Sequence, residues 1–319
     1  MAIDSSSTHL PPDDRTRASA PTAPGAWSLT DAEVERFDQQ GFLVLEQRIP
    51  APLLERLQRA AEGWVADGSD PDRERPGDWL YASRPSGQVM YRVDYLHDKG
   101  RAASLELLGS PEVLGIAESL AGPDFVPTYE SMVFKSAGDG APIPWHQDAV
   151  HARRHRIFNV GVYLDASVSG RGALRVVPGS QRLGADTCAL ADEHGWDMPG
   201  AVEVELQPGD VLVHDDMIIH GSPPAVANEL RRTVYLEFRS VRSIAEDGPW
   251  TLDWARARMR LIPLALAEHA RWAPPEDRYS WRASEELRPD PLGDADTELR
   301  VVHEVHTPGV WCSPGPAPS

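Results

Sequence analysis

From about residue 125 to residue 240 the chain is written in short apolar runs, each closed by Gly, Pro or Asp. The runs are Phe125 to Lys135, Ile157 to Asp165, Ala173 to Val177, Val202 to Leu206, Val211 to His220 and Thr233 to Phe238. β-Branched and aromatic side chains suit a pleated, half-buried surface. Short strands in series, with turn residues between them, close into an antiparallel barrel or a double-sheet sandwich.

The flanks have a different period. Leu29 to Phe37 opens with Thr30 as N-cap and Glu33 completing a capping box, which predicts a helix start. Gly41 to Leu45 is a short apolar strand, and Ala51 to Ala66 carries Leu53, Leu54, Leu57, Ala60, Ala61 and Trp64 at helical spacing. Asp67 to Gly77 reads as a polar loop. One helix is expected over Ala103 to Ala121, and another carrying Trp254, Met259, Leu261, Leu264 and Leu266. The expectation is a mainly β fold with flanking helices. One domain would cover 27–312, with its β core at about 125–240. Residues 1–26, rich in Ser, Thr, Pro and Asp, read as a disordered extension, and 313–319 as a Pro-rich tail.

At 319 residues and 41% hydrophobic content the chain can bury a large core. Its net charge of −18 argues against nucleic acid, which needs a cationic surface to displace counterions, and against an anionic membrane. No run of eighteen apolar residues predicts a membrane helix. The two cysteines, Cys188 and Cys312, make a disulfide framework unlikely and fit the cytoplasm. The acidic residues are spread along the chain, either as a solvated surface or as a pocket rim that draws in a cationic small molecule.

Trp145-His146-Gln147-Asp148 places an imidazole and a carboxylate at i and i+2, the same face of a strand, with Gln147 on the other. His220, closing a later run, can supply a third ligand from a neighbouring strand. Two histidines and one carboxylate form an iron(II) site that leaves positions open for small molecules; the bland alternative is a hydrogen-bonded barrel interior without metal. His214-Asp215-Asp216 repeats the His-x-Asp pattern. On a continuous strand from Val211 to His220, with a rise of about 3.3 Å per residue, His214 and His220 would stand about 20 Å apart. His214 therefore cannot join His220 on one ion and reads as a structural group or as one standing behind the metal's ligands. After a Gly/Pro turn the chain returns with Arg231 and Arg232 on opposite faces of a strand expected antiparallel to that of His220. One of the two can grip a carboxylate with paired N–H bonds, the other being a surface ion-pairing residue; alternation alone does not say which.

Taken together, Trp145-His146-Gln147-Asp148, Gly172-Ala173-Leu174-Arg175-Val176-Val177-Pro178-Gly179-Ser180-Gln181, Pro208-Gly209-Asp210 and His220-Gly221-Ser222 with Arg231 resemble the phytanoyl-CoA dioxygenase family over roughly residues 30 to 240. The resemblance implies a double-stranded β-helix (jelly-roll, cupin-like) core and dependence on Fe(II), 2-oxoglutarate and O2. It implies that His146, Asp148 and His220 ligate the metal and that Arg231 holds the far carboxylate of 2-oxoglutarate. It also implies help from Ser222 and a place for Asn159 in the co-substrate pocket. Gln181 stands where the family usually has histidine, a harmless departure away from the metal, and retention of Asp148 disfavours halogenation. Lys135 is left outside the site. The implied reaction is hydroxylation, or oxidative ring closure or desaturation, of a small polar or cationic metabolite. An amino acid derivative or an amino sugar of antibiotic biosynthesis would fit, with neither nucleic acid nor membrane as a partner. The alternatives are a cupin-type metal-dependent isomerase or epimerase, and a non-catalytic 2-oxoglutarate sensor. Trp79, Trp196, Trp250 and Trp254 are packing residues or a sugar-stacking wall.

Overall fold

Thr30 accepts a hydrogen bond from the Glu33 backbone while the Glu33 side chain returns to the Thr30 N–H, so the capping box forms as the sequence predicts. In the computed structural model the described residues are 17–18, 27–70, 77–85, 87–135, 140–150, 153–225, 230–289 and 310–311. The expected disordered extension and tail lie outside them, apart from the strand β1 (Arg17–Ala18). The N-terminal half continues as α1 (Asp31–Gln40), β2 (Phe42–Leu45), α2 (Ala51–Ser69), the hairpin β3 (Trp79–Arg84) and β4 (Gly87–Asp94), α3 (Ala103–Leu108) and α4 (Pro111–Ala121). The helix expected over Ala103 to Ala121 is two, because Pro111 pushes Ser110 into an extended conformation and starts a new helix. The β3–β4 hairpin was not legible as strands.

The core strands are β5 (Phe125–Lys135), β6 (Ile143–Gln147), β7 (Ile157–Tyr163) and β8 (Leu174–Val176), followed by helix α5 (Thr187–His194). Then come β9 (Val202–Val204), β10 (Val211–Asp215), β11 (His220–Ser222) and β12 (Arg231–Ser240). Helices α6 (Val241–Asp247), α7 (Leu252–Met259) and α8 (Leu261–His269), and the strand β13 (Val310–Trp311), complete the elements. The single C-terminal helix expected from Trp254 to Leu266 is thus divided at Arg260.

The strands form two sheets, ordered β1-β2-β10-β7-β12-β5-β4-β3 and β13-β6-β11-β8-β9. Alternation sorts the large sheet into two faces. Phe158, Val160, Val162, Val211, Val213, Val234, Leu236 and Phe238 pack outward with the helices in the main core. Phe42, Val44, Tyr163 and Leu212 pack inward against Leu174, Val176, Val204 and Leu206 of the small sheet side. That second cluster closes one end of the sandwich interior; polar side chains fill the other.

The run from Val211 to His220 is not one strand. β10 ends at Asp215, the chain turns through Asp216 and Met217, and His220 begins β11 in the opposite sheet. Cys188 is disulfide-bonded, which corrects the expectation of unpaired cysteines; Cys312 lies outside the described residues.

Candidate metal and co-substrate site

β6 and β11 pair antiparallel with His220 directly opposite His146, so the two imidazoles are neighbours with ring centroids 4.0 Å apart. Asp148 follows β6 by one residue and brings its carboxylate to the same place. One ligand atom from each of His146, Asp148 and His220 lies within 4.8 Å of the others. Gln147 turns the other way: its amide donates to the Met217 carbonyl at 2.5 Å and accepts from Thr187 at 2.8 Å.

The ring orientations are set by the backbone. His146 Nδ1 bonds the Pro144 carbonyl at 2.8 Å, and His220 Nδ1 bonds the Ile218 carbonyl at 3.0 Å. With those protons on Nδ1, each Nε2 lone pair is directed at the shared space; carbonyls orient metal-binding histidines in this way. His146 Nε2 lies 3.5 Å from Asp148 Oδ1 and His220 Nε2 lies 3.7 Å from Oδ2. Burial, with His146 and His214 nearby, depresses the His220 pKa to about 3, so its imidazole is neutral. For Asp148, burial acts upward, but the imidazoles of His220, His146 and His214 outweigh it and hold the carboxyl well below its ordinary range. Neutral imidazoles and an ionised carboxylate are the donor set of a divalent ion such as iron(II), and the residues fit one.

His214 belongs to this cluster, which bears on the sequence reading at one point: the expected distance from His220. Its ring centroid is 5.0 Å from that of His220, and its Nε2 is 3.5 Å from Asp148 Oδ2. The 20 Å estimate fails because the turn after Asp215 carries the chain across the sandwich.

Strand alternation separates the two arginines as expected. Arg231 faces inward, with Nη1 bonded to the Gly172 carbonyl and 3.4 Å from the hydroxyls of Ser167 and Ser222. Its buried Nε–H finds no hydrogen-bond partner among the described residues. An inward guanidinium with an unused donor suits a carboxylate-bearing co-substrate. Arg232 makes a two-pronged pair with Asp165, both bonds 2.8 Å. It is buried, not the surface residue expected. β12 pairs with β5 and β7 rather than with β11, so Arg231 reaches the metal end from the facing sheet.

Ser222 is buried and donates to the Gly172 carbonyl at 2.6 Å, beside Arg231. Asn159 stands beside the metal cluster, its amide donating to Asp148 Oδ2 at 3.3 Å and to Asp216 Oδ1 at 2.9 Å. Sequence reasoning set one neighbour, Lys135, aside and missed two others. Lys135 stands opposite Arg231 in the β12–β5 register and bonds the Pro223 carbonyl at 2.7 Å. Tyr163 and Tyr235 sit near Arg231, and burial raises both phenol pKa values. Inward alternation along β7 and β12 was the available signal for the tyrosines. Gln181 donates to the Asp38 carbonyl, outside the metal cluster.

Residues 37–233 match the family described as phytanoyl-CoA dioxygenase (PhyH). The chain belongs to that family. It is accordingly a non-heme iron, 2-oxoglutarate-dependent dioxygenase with a jelly-roll core. It is 26% identical over 227 residues to a methylphosphonate hydroxylase of Gimesia maris, covering 67% of this chain and 82% of that one. It is 29% identical over 189 residues to an L-proline trans-4-hydroxylase of Streptomyces griseoviridis, covering 56% and 66% respectively. Among solved structures, AviO1 from Streptomyces viridochromogenes superposes with a TM-score of 0.58 at 28% identity, over 73% of this chain and 99% of that one. No helix among the described residues is long and apolar enough to cross a membrane.

Of the tryptophans, Trp79 is in the helix-side core, Trp196 packs on Trp145 at 5.5 Å, and Trp250 stacks on Trp254 at 4.3 Å. All four are packing residues.

Proposed function

We propose that this dioxygenase holds Fe(II) through His146, Asp148 and His220. Arg231, assisted by Ser222, grips the far carboxylate of 2-oxoglutarate. The observation that carries this assignment is the convergence of the three ligand atoms from β6 and β11, with Arg231 inward on the facing sheet. Iron with 2-oxoglutarate and dioxygen supplies the oxidising power to functionalise an unactivated C–H bond, and the hard chemistry belongs to that set. The chain's own work is placement. Pro144 and Ile218 carbonyls aim the two imidazoles, burial lowers the pKa of His220, and the paired sheets bury both rings. Asn159, expected in the co-substrate pocket, serves instead to orient the Asp148 carboxylate.

The substrate is a small polar metabolite carrying an amine, which is hydroxylated or undergoes oxidative ring closure or desaturation. The support is an acidic inner wall beside the metal cluster. Asp216 is buried, and desolvation with the nearby Glu237 and Asp148 raises its pKa well above normal. Glu237 is answered by Arg239 at 2.8 Å and by Thr128 at 2.7 Å. A positively charged group brought beside Asp216 would stabilise its ionised form, which burial and the neighbouring carboxylates disfavour. The relatives act on proline and on methylphosphonate by their names, both small and polar.

A second reading has one observation behind it. A groove of about 830 Å³ near the turn after β10 is lined by Arg153, Arg154, Arg156, Arg182 and Arg242, which would suit a phosphorylated substrate. Most of that charge is already answered by Asp215, Asp247, Asp38 and Glu246, so the amine reading is preferred. We place the enzyme in the cytoplasm, where 2-oxoglutarate is made; the Cys188 disulfide weighs against this, and thiol labelling in cells decides it.

The test is oxygen consumption coupled to succinate release, with a ligand panel of small amines, phosphorylated metabolites and acyl-CoAs. Asp148→Ala should abolish both signals, and amines should raise the melting temperature. Turnover without oxygen would favour an isomerase, and 2-oxoglutarate binding without succinate a sensor. Stabilisation by acyl-CoAs alone would remove the amine reading.

A further inference from the structure

Asp148 has two carboxylate oxygens in unequal surroundings. Oδ1 faces His146 Nε2 at 3.5 Å. Oδ2 lies 3.7 Å from His220 Nε2 and is approached as well by two groups of the opposite sheet, the Asn159 amide at 3.3 Å and His214 Nε2 at 3.5 Å. Those two residues are directly paired in the β10–β7 register, so their side chains leave the sheet side by side on its inner face.

His214 has no evident structural duty. It is 2% exposed, and neither ring nitrogen has a hydrogen-bond partner among the described residues. A buried polar group without a partner is costly and calls for an explanation. The imidazole is held in place by His220 on one side and, edge to face at 5.9 Å, by Tyr235 on the other. Its nearest polar neighbour is the Asp148 carboxylate, about half an ångström beyond ordinary hydrogen-bond length.

We propose that His214 is a positioning residue which, with Asn159, holds Oδ2 of Asp148 by N–H donation and leaves Oδ1 as the metal-binding atom. The inference rests on the iron-site assignment above. Its physical point concerns coordination number. A carboxylate free to swing can bind a metal through both oxygens and occupy a position that the co-substrate or dioxygen needs. Two donors on one oxygen, an imidazole N–H and an amide N–H, oppose that swing. Groups that orient a metal's ligands matter for binding as well as for rate.

The experiment is an anaerobic titration of the full, metal-free chain with Co(II), read by its ligand-field absorption and by calorimetry. His214→Phe keeps a planar ring and loses the donor; His214→Gln restores an N–H of similar reach. We expect His214→Phe to weaken Co(II) binding by about ten- to a hundredfold and to change the absorption toward higher coordination. His214→Gln should return both to within a fewfold of wild type. Wild-type affinity and spectrum in His214→Phe would overturn the proposal, as would equal losses in the two variants. If His214→Phe does not fold, Asn159→Leu takes its place, with weakened Co(II) binding expected and unchanged binding refuting. Failure of the wild-type chain to bind one Co(II) would instead defeat the iron-site assignment itself, so the two failures are distinguishable.

Discussion

Replacing Arg231 and replacing its neighbour Arg232 should break two different properties of the protein. Arg231 turns an unused Nε–H inward at the metal end, while Arg232 spends its fork on Asp165 and a third bond on the Gln58 carbonyl at 3.2 Å. A hydrogen bond to a charged group is worth roughly 1.5–3 kcal/mol, so two parallel bonds from Arg231 to the 2-oxoglutarate carboxylate would amount to about 3–6 kcal/mol. At about 1.4 kcal/mol per factor of ten, Arg231→Ala should weaken 2-oxoglutarate binding by about two to four powers of ten. Arg231→Lys keeps the charge but not the fork and should fall between. Arg232→Ala leaves the half-buried Asp165 without its cation, which should cost about 1–3 kcal/mol of stability, and a large domain loses roughly 2–4 °C of Tm for each of those. Its 2-oxoglutarate affinity should stay within threefold. Anaerobic calorimetry on the Fe(II)-loaded proteins measures the affinities, and thermal melts measure the stabilities. Equal affinity losses in the two variants, or a larger loss in Arg232→Ala, would refute the facing assignment and with it the co-substrate site.

Three further outcomes can be checked. A Cβ on Gly161 would stand 2.8 Å from the Tyr235 ring, so Gly161→Ala should cost about 1–3 kcal/mol by overpacking, seen in denaturant unfolding, and should disturb the His214 wall. Arg258 is fully buried, donates to Glu130 and bonds the Pro127 carbonyl at 2.8 Å. Arg258→Leu leaves Glu130, also bonded by His97, short of its cation and should lower stability by about 3–5 kcal/mol, read in the same unfolding experiment. The depressed pKa of His220, about 3, means that the unfolded chain takes up a proton below about pH 6.5 while the folded one does not. The stability it supports is therefore full above that pH and declines toward pH 3, with a slope of at most about 1.4 kcal/mol per pH unit. Acid titration of metal-free wild type against His220→Gln should show the slope reduced in the variant; identical slopes would refute it.

The amino-acid order alone settled much of this protein. The Thr30–Glu33 cap and the limits of the Phe125–Lys135 strand follow from local rules. So do the opposite faces of His146 and Gln147 and of Arg231 and Arg232, because capping chemistry and the two-residue period of a strand act over a few residues. What it left open were long-range matters. A gap of apolar residues looks the same whether the strand runs on or turns, so the break after Asp215 was invisible. That break moves His214 from a remote position to 3.5 Å from Asp148. Asn159 likewise was known as a strand residue, but which carboxylate its amide meets depends on β7 lying beside β10 and across from β6. Local sequence sets which side of a strand a group leaves from; only the folding of one sheet over the other sets what it faces.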